Sequence, residues 1–344
     1  MNSKLTQSQQ RTICAQLGRV KLQLLYKASI HGFTGAAFHQ QCDNRSPTVS
    51  VGYNNSGFVF GGYTKQPFSQ SGPKRKALIE SIKSYKPTVS SVTQPRVLLI
   101  GPVGAGKSSF FNSVNSVFRG HVTSQAISGS SSTSLTTQFR TYSVKDGREG
   151  KPLPIILCDT MGLEETKGAG LYIDDLSSIL KGHLPDRYQF NPSAPLHPEA
   201  HGYCTSPGLK DKIHCVAYVI DASKISIMPT GLEEKLDAIR RKVNLMGIPQ
   251  LVLLTKIDEA CPLVKEDVRN VYRSGYIKDL MQEVGSRLGV PLSCIIPVRN
   301  YSEELELDMN CDILLLRAVI QMFRFVDNYF DELSDRMSNM QTKD

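Results

Sequence analysis

The chain has 344 residues, of which 40% are hydrophobic, and it contains no tryptophan. This length and composition describe a globular protein of one or two domains and exclude disordered, collagen-like and small disulfide-stapled chains. Lysine and arginine number 40 against 32 acidic residues, a net charge of +8. The basic residues are scattered and lack interleaved aromatic side chains, so we expect no nucleic-acid partner.

The cysteines and the N-terminal residues predict a cytoplasmic location. The eight cysteines are widely spaced and form no CxxC pair, and several lie inside apolar runs, which is typical of reduced, packed thiols. The N-terminus MNSKLTQSQQ lacks the apolar core of a signal peptide. Because no apolar run reaches the ~18 residues of a membrane helix, we expect no membrane span.

The first part of the chain, residues 1–70, predicts a small α+β segment. Two short strands, TVSVGY and FVFGGY, are joined by the turn residues NNSG and predict a β-hairpin, preceded by a short helix near Ala36–Cys42. Residues 71–95 predict a linker that contains a short helix at Arg75–Ser84. We expect the main domain to cover residues 96–333 and a C-terminal tail to cover residues 334–344.

From residue 96 onward, short apolar runs alternate with amphipathic helical patterns. The predicted strands are RVLLI (96–100), QFRTYSV (138–144), PIILC (154–158), HCVAYVI (214–220), QLVLL (250–254) and CIIPV (294–298). The predicted helices cover about Lys107–Phe118, Leu232–Leu245, Ile277–Leu288 and Ile313–Leu333. Most of the strands are nearly continuous apolar runs, whereas QFRTYSV alternates like an edge strand. The pattern predicts an α/β fold with a doubly wound, mainly parallel sheet.

The segment GPVGAGKS, residues 101–108, matches the phosphate-binding pattern GxxxxGK[ST] between an apolar strand and an apolar helix. In such a P-loop, backbone N–H groups and a helix N-terminus cradle phosphate oxygens. We expect Lys107 to bridge the β- and γ-phosphates as a catalytic residue and Ser108 to ligate Mg²⁺. The predicted nucleotide-binding residues of this loop are Gly101, Gly104, Ala105, Gly106, Lys107, Ser108 and Ser109.

The segment DTMG, residues 159–162, follows the strand PIILC. This position at the carboxyl end of a sheet strand is where open α/β folds bind ligands. Asp159 can therefore hold Mg²⁺ through water, while the N–H of Gly162 can meet the γ-phosphate and report its loss.

The serine-rich loop Ser124–Thr137 separates these two motifs and is long enough to fold over the phosphates. A threonine hydroxyl there could complete the Mg²⁺ shell. Thr133 is the first choice, as a metal ligand and catalytic residue, and Thr136 and Thr137 compete with it. A mobile solvated loop is the alternative.

The segment TKID, residues 255–258, follows the buried strand QLVLL and fits the guanine-reading pattern [NT]KxD. Asp258 can accept hydrogen bonds from N1–H and the N2 amino group of guanine, whereas adenine presents an acceptor at N1. Thr255 belongs to the same predicted site, and the alkyl stem of Lys256 would cover one face of the ring. After the next strand, a backbone N–H or the amide of Asn300 could contact guanine O6. The expected ligand is therefore GTP or GDP with Mg²⁺.

The order GPVGAGKS, DTMG, TKID makes residues 96–330 similar to the GTPase branch of P-loop proteins. The stretches RVLLIGPVGAGKSSFFNSVNSVFRGHVTSQA, LPIILCDTMGLEE, PDRYQFNP, LKDKIHCVAYVIDAS and NYSEELELD resemble the interferon-induced protein 44 family. The stretch LLYKASIHGFTGAAFHQQCDNRSPTVSVGY, with GFVFGGYT, resembles the opening of a TLDc domain that stops near Phe68 and is therefore interpreted as truncated. The resemblance implies a cytoplasmic, interferon-inducible, GTP-binding protein that acts in the immune response to virus.

Two residues depart from the pattern of efficient GTPases and predict slow turnover. Leu163 stands after the DxxG glycine, where small signalling GTPases use Gln to orient the attacking water. Val103 puts a branched side chain where a partner's arginine finger would need room. We expect turnover near or below the ~10⁻⁴–10⁻² s⁻¹ of unassisted GTPases, unless self-association supplies a missing group.

Three hypotheses about function are open at this point. The first is a Mg²⁺-dependent GTPase whose loops 124–137 and 159–171 switch between ordered and loose states. The second is an interaction scaffold that nucleotide stabilises, without meaningful turnover. The third is a TLDc-type interaction module, which the truncation of residues 1–70 disfavours. A homo-oligomer or a cytoplasmic protein partner is compatible with each hypothesis.

Overall fold

The computed structural model describes residues 4–18, 20–42, 45–54, 58–65, 71–126, 136–165, 170–191, 196–200 and 202–341. The chain divides into two compact units, residues 1–76 and 77–344. The domain boundaries that the sequence indicates near residues 70 and 96 stay predictions.

The first unit contains short helices and a β-hairpin. Its elements are α1 (Gln7–Gln16), α2 (Ala28–His31), α3 (Gly35–Cys42), β1 (Thr48–Tyr53) and β2 (Val59–Thr64). α1, which the sequence analysis did not predict, begins at a capping box in which Thr6 Oγ1 accepts from Gln9 N–H at 3.2 Å and Gln9 Oε1 accepts from Thr6 N–H at 2.9 Å. β1 and β2 pair in antiparallel fashion, as the turn residues between them predict.

A seven-stranded sheet forms the centre of the second unit, with the order β6-β4-β5-β3-β7-β8-β9. Its strands are β3 (Arg96–Ile100), β4 (Gln138–Lys145), β5 (Pro152–Asp159), β6 (Tyr188–Gln189), β7 (Cys215–Asp221), β8 (Gln250–Thr255) and β9 (Ile295–Pro297). β5, β3, β7, β8 and β9 run parallel, whereas β4 and β6 are antiparallel to their neighbours. The mainly parallel sheet is confirmed, and β4 is next to the edge rather than at it, because the two-residue β6 pairs beyond it.

Helices cover both faces of this sheet. They are α4 (Ser71–Ser84), α5 (Lys107–Arg119), α6 (Ile173–Lys181), α7 (Thr230–Leu245), α8 (Ile257–Ala260), α9 (Pro262–Glu266), α10 (Gly275–Leu288) and α11 (Met309–Gln341). Along β3, Leu98 and Ile100 pack in a core that includes buried residues of α6, α7 and α10, whereas Val97 and Leu99 pack with those of α5 and α11. This alternation is the consequence of the two-residue period of a strand, and it makes the sheet doubly wound.

Two helices differ from the sequence prediction. α11 begins before Ile313 and continues to Gln341, so residues 334–341 are helical, and the C-terminal tail at residues 334–344 stays a prediction. α6 was not predicted, although it buries Leu176, Ile179 and Leu180 against the core. Among the residues that the structure describes, no helix combines the length and the apolar character that crossing a bilayer requires.

Candidate nucleotide site

The P-loop connects β3 to α5, and its glycines match the backbone that it needs. Gly104 (φ +72°) and Gly106 (φ +94°) lie in the left-handed region, which disfavours residues with a Cβ. Gly106 is also the N-cap of α5. The first helical N–H groups have no partner within a helix, so the N-terminus of α5 supplies donors and positive potential at this loop.

Lys107 is folded back onto the loop that precedes it. Its Nζ donates to the carbonyl oxygens of Gly101 and Pro102, at 3.0 Å each, and the residue is 6% exposed. Burial lowers the pKa of Lys107 to about 8, while the nearby Asp159 works in the opposite direction. A phosphate would exchange two neutral carbonyl partners for charged oxygens in a site that is largely screened from water, where ion pairing is strong.

Ser108, the last residue of the P-loop motif, is hydrogen-bonded to Asp159 at the end of β5. Ser108 Oγ donates to Asp159 Oδ2 at 2.6 Å, and Thr136 Oγ1 lies 3.3 Å from the same Ser108 Oγ. Asp159 is fully buried. Burial raises its pKa, while Lys107 and the hydrogen bond from Ser108 lower it. The Asp159 Oδ1 atom is buried without a hydrogen-bond partner among the described residues, so this carboxylate has an acceptor available for one more donor.

The oxygens at this point fit a nucleotide-bound Mg²⁺. Mg²⁺ keeps several waters and typically takes one or two protein oxygens plus substrate phosphates. Ser108 Oγ would bind it directly and Asp159 through water, which would satisfy the orphaned Oδ1. Within the described ranges no group of three His, Cys, Asp or Glu side chains could hold a metal ion. The predicted third ligand, Thr133, lies outside the described residues, and its competitor Thr136 is the described threonine next to Ser108.

The backbone after DTMG is hydrogen-bonded to the P-loop. The Leu163 N–H donates to the Gly101 carbonyl oxygen at 3.0 Å, and the Leu163 carbonyl oxygen accepts from the Val103 N–H at 3.2 Å. A Cβ on Gly162 would lie 2.9 Å from the Val103 Cα, so this close approach requires glycine. The Leu163 side chain is 2% exposed and packs in the hydrophobic core.

The segment after β8 is tied to the same loop. Thr255 is fully buried, and its Oγ1 donates to the Ala105 carbonyl oxygen at 2.6 Å. Lys256 adopts a left-handed backbone conformation (φ 55°), and its Nζ lies 3.0 Å from Asp221 Oδ2 at the end of β7. Asp258 lies in the first turn of α8, and its side chain is 22% exposed.

The loop after β9 also packs against the P-loop and α5. The Asn300 Nδ2 donates to the Gly106 carbonyl oxygen at 3.1 Å, and the Tyr301 N–H donates to Ser113 Oγ at 2.8 Å. The Asn300 amide nitrogen is therefore committed to the P-loop. The contact between Asn300 and guanine O6 stays a prediction.

Two charged residues of this region lie outside the motifs that the sequence predicts. Arg299 lies with its Nε 3.1 Å from Asp258 Oδ2, and Asp221 pairs with Lys256. Each pair joins the ends of two neighbouring parallel strands, β8 with β9 and β7 with β8. The available signal was that oppositely charged residues directly follow consecutive apolar strands.

A groove of about 350 Å³ beside the P-loop is distinct from the phosphate cradle. Its lining combines apolar Val103 and Leu163 with the acidic Glu164, Glu165 and Asp221, and it does not include Lys107 or Ser108. Its carboxylates would repel a phosphate group. The groups whose chemistry suits a phosphate are therefore those of the loop and of the α5 N-terminus.

Sequence comparisons find related proteins for both parts of the chain. A protein-family model described as the TLDc domain matches residues 1–94. Interferon-induced protein 44-like from Homo sapiens is 48% identical over 259 residues, which cover 75% of this chain and 57% of that protein. Interferon-induced protein 44 is 46% identical over 259 residues in Pan troglodytes and 41% identical over 256 residues in Mus musculus, which cover 75% and 74% of this chain. The chain spans only 57% to 60% of the length of these relatives.

Structure comparisons return two remote likenesses among solved proteins. A variant of Era from Aquifex aeolicus bound to GDP and aluminium fluoride is 14% identical, with 68% of this chain and 57% of that chain covered and a TM-score of 0.39. A probable GTP-binding protein, EngB, is 12% identical, with 68% and 99% covered and a TM-score of 0.38. Because both likenesses are remote, the assignment as an α/β P-loop fold depends on the sheet order and on the loop between β3 and α5.

Proposed function

We propose that the chain, which is 46% to 48% identical to interferon-induced protein 44 proteins over 259 residues, belongs to their family and binds guanine nucleotide with Mg²⁺. We further propose that it acts as a slow GTP-dependent switch in the cytoplasmic, interferon-induced response to virus. The family name supports the biological context, and the site geometry supports the nucleotide.

One observation carries the nucleotide proposal: three distant segments are hydrogen-bonded to the same P-loop. Leu163 bonds to Gly101, Thr255 to Ala105 and Asn300 to Gly106. The groups that suit phosphate, Mg²⁺ and a purine base are therefore assembled at one rim of the sheet, at the carboxyl ends of parallel strands. The parallel sheet brings these segments to one edge, and the hydrogen bonds join them to a single loop.

A bound nucleotide would contact residues of the P-loop, of β5 and of the TKID segment. Loop N–H groups and the α5 N-terminus would bind the phosphate oxygens, and Lys107 would place its ammonium on the β- and γ-phosphates. Ser108 and Asp159 would hold Mg²⁺, which supplies neutralisation of the charge that develops on those phosphates. Asp258 would accept from guanine N1–H and N2–H, as Watson–Crick-edge readout requires.

Slow turnover follows from the segment after DTMG. Leu163 offers no hydrogen-bonding group for an attacking water, and its side chain is buried in the core. Its backbone is hydrogen-bonded to Gly101 and Val103. These same contacts favour a second candidate function, a scaffold that nucleotide stabilises without meaningful hydrolysis.

Binding of GTP with Mg²⁺ by the 344-residue chain tests the proposal. We expect Lys107→Ala to weaken GTP at least about tenfold, because the variant loses a charged phosphate contact of more than ~1.4 kcal/mol. Lys181→Ala is the matched control, since Lys181 is an exposed lysine at the C-terminal end of α6. Equal GTP affinity of the wild type and Lys107→Ala would contradict the proposal.

Single-turnover phosphate release separates the switch from the scaffold. The switch predicts release by the wild type at a rate within or below the ~10⁻⁴–10⁻² s⁻¹ range, and loss of release in Lys107→Ala. The scaffold predicts GTP binding with the same background release in both proteins.

A further inference from the structure

Arg299 occupies the base-reading corner of the site. It follows β9, whose Pro297 pairs in register with Leu254 of β8, so it emerges beside the TKID segment. Its Nε lies 3.1 Å from Asp258 Oδ2, and its Nη2 forms an ion pair with Glu304. The three side chains are 22% to 28% exposed, which leaves the cluster accessible from solvent.

The guanidinium is held in place by groups other than a ligand. The Glu304 Oε2 accepts from the Ser302 N–H at 2.8 Å and from the Glu303 N–H at 3.1 Å, so this carboxylate is fixed by the local backbone. The Arg299 carbonyl oxygen accepts from the Cys311 thiol at 3.2 Å, which anchors its backbone to α11. A side chain that is ordered before binding loses less conformational entropy when a ligand arrives.

Asp258 and Arg299 together present a pattern that complements guanine. The reading edge of guanine carries the O6 acceptor next to the N1–H and N2–H donors. A carboxylate can accept from the two donors, and a guanidinium beside it can donate to the adjacent O6. Adenine places an amino group where O6 lies, and this group would face the donor of Arg299. The Asn300 amide nitrogen, another donor near this corner, bonds to Gly106.

We propose that Arg299 is a specificity-determining residue of the base site, which donates to guanine O6 while Asp258 accepts from N1–H and N2–H. In this arrangement Glu304 is a positioning residue that keeps the guanidinium beside Asp258. The inference rests on the proposed function, because it assigns a role within the same nucleotide site. The competing possibility is that Arg299 only neutralises Asp258 and so competes with guanine for the carboxylate.

A binding cycle between Arg299 and the O6 atom tests the proposal. The Kd values of GDP and of 6-thio-GDP, whose sulfur is a weaker acceptor than O6, are measured with Mg²⁺ for the wild type and Arg299→Ala. We expect Arg299→Ala to weaken GDP about tenfold. We also expect the preference of the wild type for GDP over 6-thio-GDP to disappear in the variant, since the two changes remove the same contact.

Further variants keep the result interpretable. Arg324→Ala is the matched control, because Arg324 is an exposed arginine of α11 that pairs with Gln321, and it should leave both Kd values unchanged. Glu304→Gln should weaken GDP less than Arg299→Ala does. If Arg299→Ala does not fold, Arg299→Lys serves in its place, because it keeps the charge but loses the forked donor geometry; we expect it to lower the preference for GDP over 6-thio-GDP.

Three outcomes would overturn the proposal. Tighter GDP binding by Arg299→Ala would show that Arg299 competes with the base for Asp258. An unchanged preference for GDP over 6-thio-GDP would show that Arg299 does not contact O6. An absence of GDP binding by the wild type would instead overturn the proposed function itself, and it is distinct from the first two outcomes.

Discussion

Replacement of Leu163 by glutamine restores the residue type that orients water in small signalling GTPases, and we expect it to damage this protein rather than activate it. The side chain of Leu163 is 2% exposed and lies in the core. Its backbone is pinned by hydrogen bonds to Gly101 and Val103 at 3.0 and 3.2 Å. A glutamine side chain at this position would therefore point into the core.

The expected cost can be worked out from two contributions. Removing a fully buried leucine from the core forfeits about 1.5–3 kcal/mol of apolar burial. Burying an amide without a partner adds about 1–3 kcal/mol. We therefore expect Leu163→Gln to lower the free energy of unfolding by about 2.5–6 kcal/mol, a large fraction of the ~5–15 kcal/mol typical of folded proteins.

Chemical denaturation and single-turnover phosphate release measure the two effects separately. Glu165→Gln is the control, since Glu165 is an exposed residue of the same segment and should leave the free energy of unfolding unchanged. We expect no rise in phosphate release for Leu163→Gln. A variant of wild-type stability that releases phosphate at least about tenfold faster would refute the inferred burial of this side chain and its separation from the attacking water.

Three further predictions concern pH and backbone strain. Burial lowers the pKa of Lys107 to about 8, and bound phosphates favour its charged form. GTP affinity should therefore be constant below about pH 8 and fall by up to about tenfold per pH unit above it. In the same titration series, Lys107→Ala should show no such fall. His214 is fully buried, and burial lowers its pKa from 6.5 to about 4, although its hydrogen bond to Leu209 works in the opposite direction. Because the folded state resists protonation of His214, the free energy of unfolding should be highest above about pH 6.5 and fall by up to about 3 kcal/mol towards about pH 4. In a series of denaturation experiments across this pH range, His214→Asn should flatten the fall. Gly106→Ala should lower GTP affinity and stability more than Gly104→Ala does. Both positions have a left-handed backbone, but only a Cβ at residue 106 would come within 2.8 Å of the Asn300 side chain. Equal effects of the two substitutions in thermal unfolding and GTP titration would contradict this tight contact.

The strands of the sheet could be predicted from sequence because burial on both faces makes them continuous apolar runs. β3, β7 and β8 are almost entirely buried, and their boundaries lie within a residue or two of the predicted ones. β6 could not be predicted, since two residues carry no periodicity. The end of α11 was also missed, because the residues after Leu333 are mostly polar and lack the apolar stripe on which the prediction depends.

The convergence of the predicted site segments follows from topology, whereas their side-chain partners do not. Because Asp159 ends β5 and Thr255 ends β8, the parallel sheet brings both to one edge with the P-loop. The commitment of Asn300 to Gly106, and of Asp258 to Arg299, depends on side-chain conformations and on the docking of the loop after β9. The sequence shows only that charged residues follow neighbouring strands, and it does not show which side chains pair.

Calorimetric titration of GTP, GDP and ATP with Mg²⁺ into the wild type and Asp258→Asn tests most directly whether the P-loop and the TKID segment form one guanine-nucleotide site. We predict that the wild type binds GTP and GDP at least about tenfold more tightly than ATP, and that Asp258→Asn loses this preference while it retains phosphate-dependent binding. Equal affinity of the wild type for ATP and GTP would contradict the account.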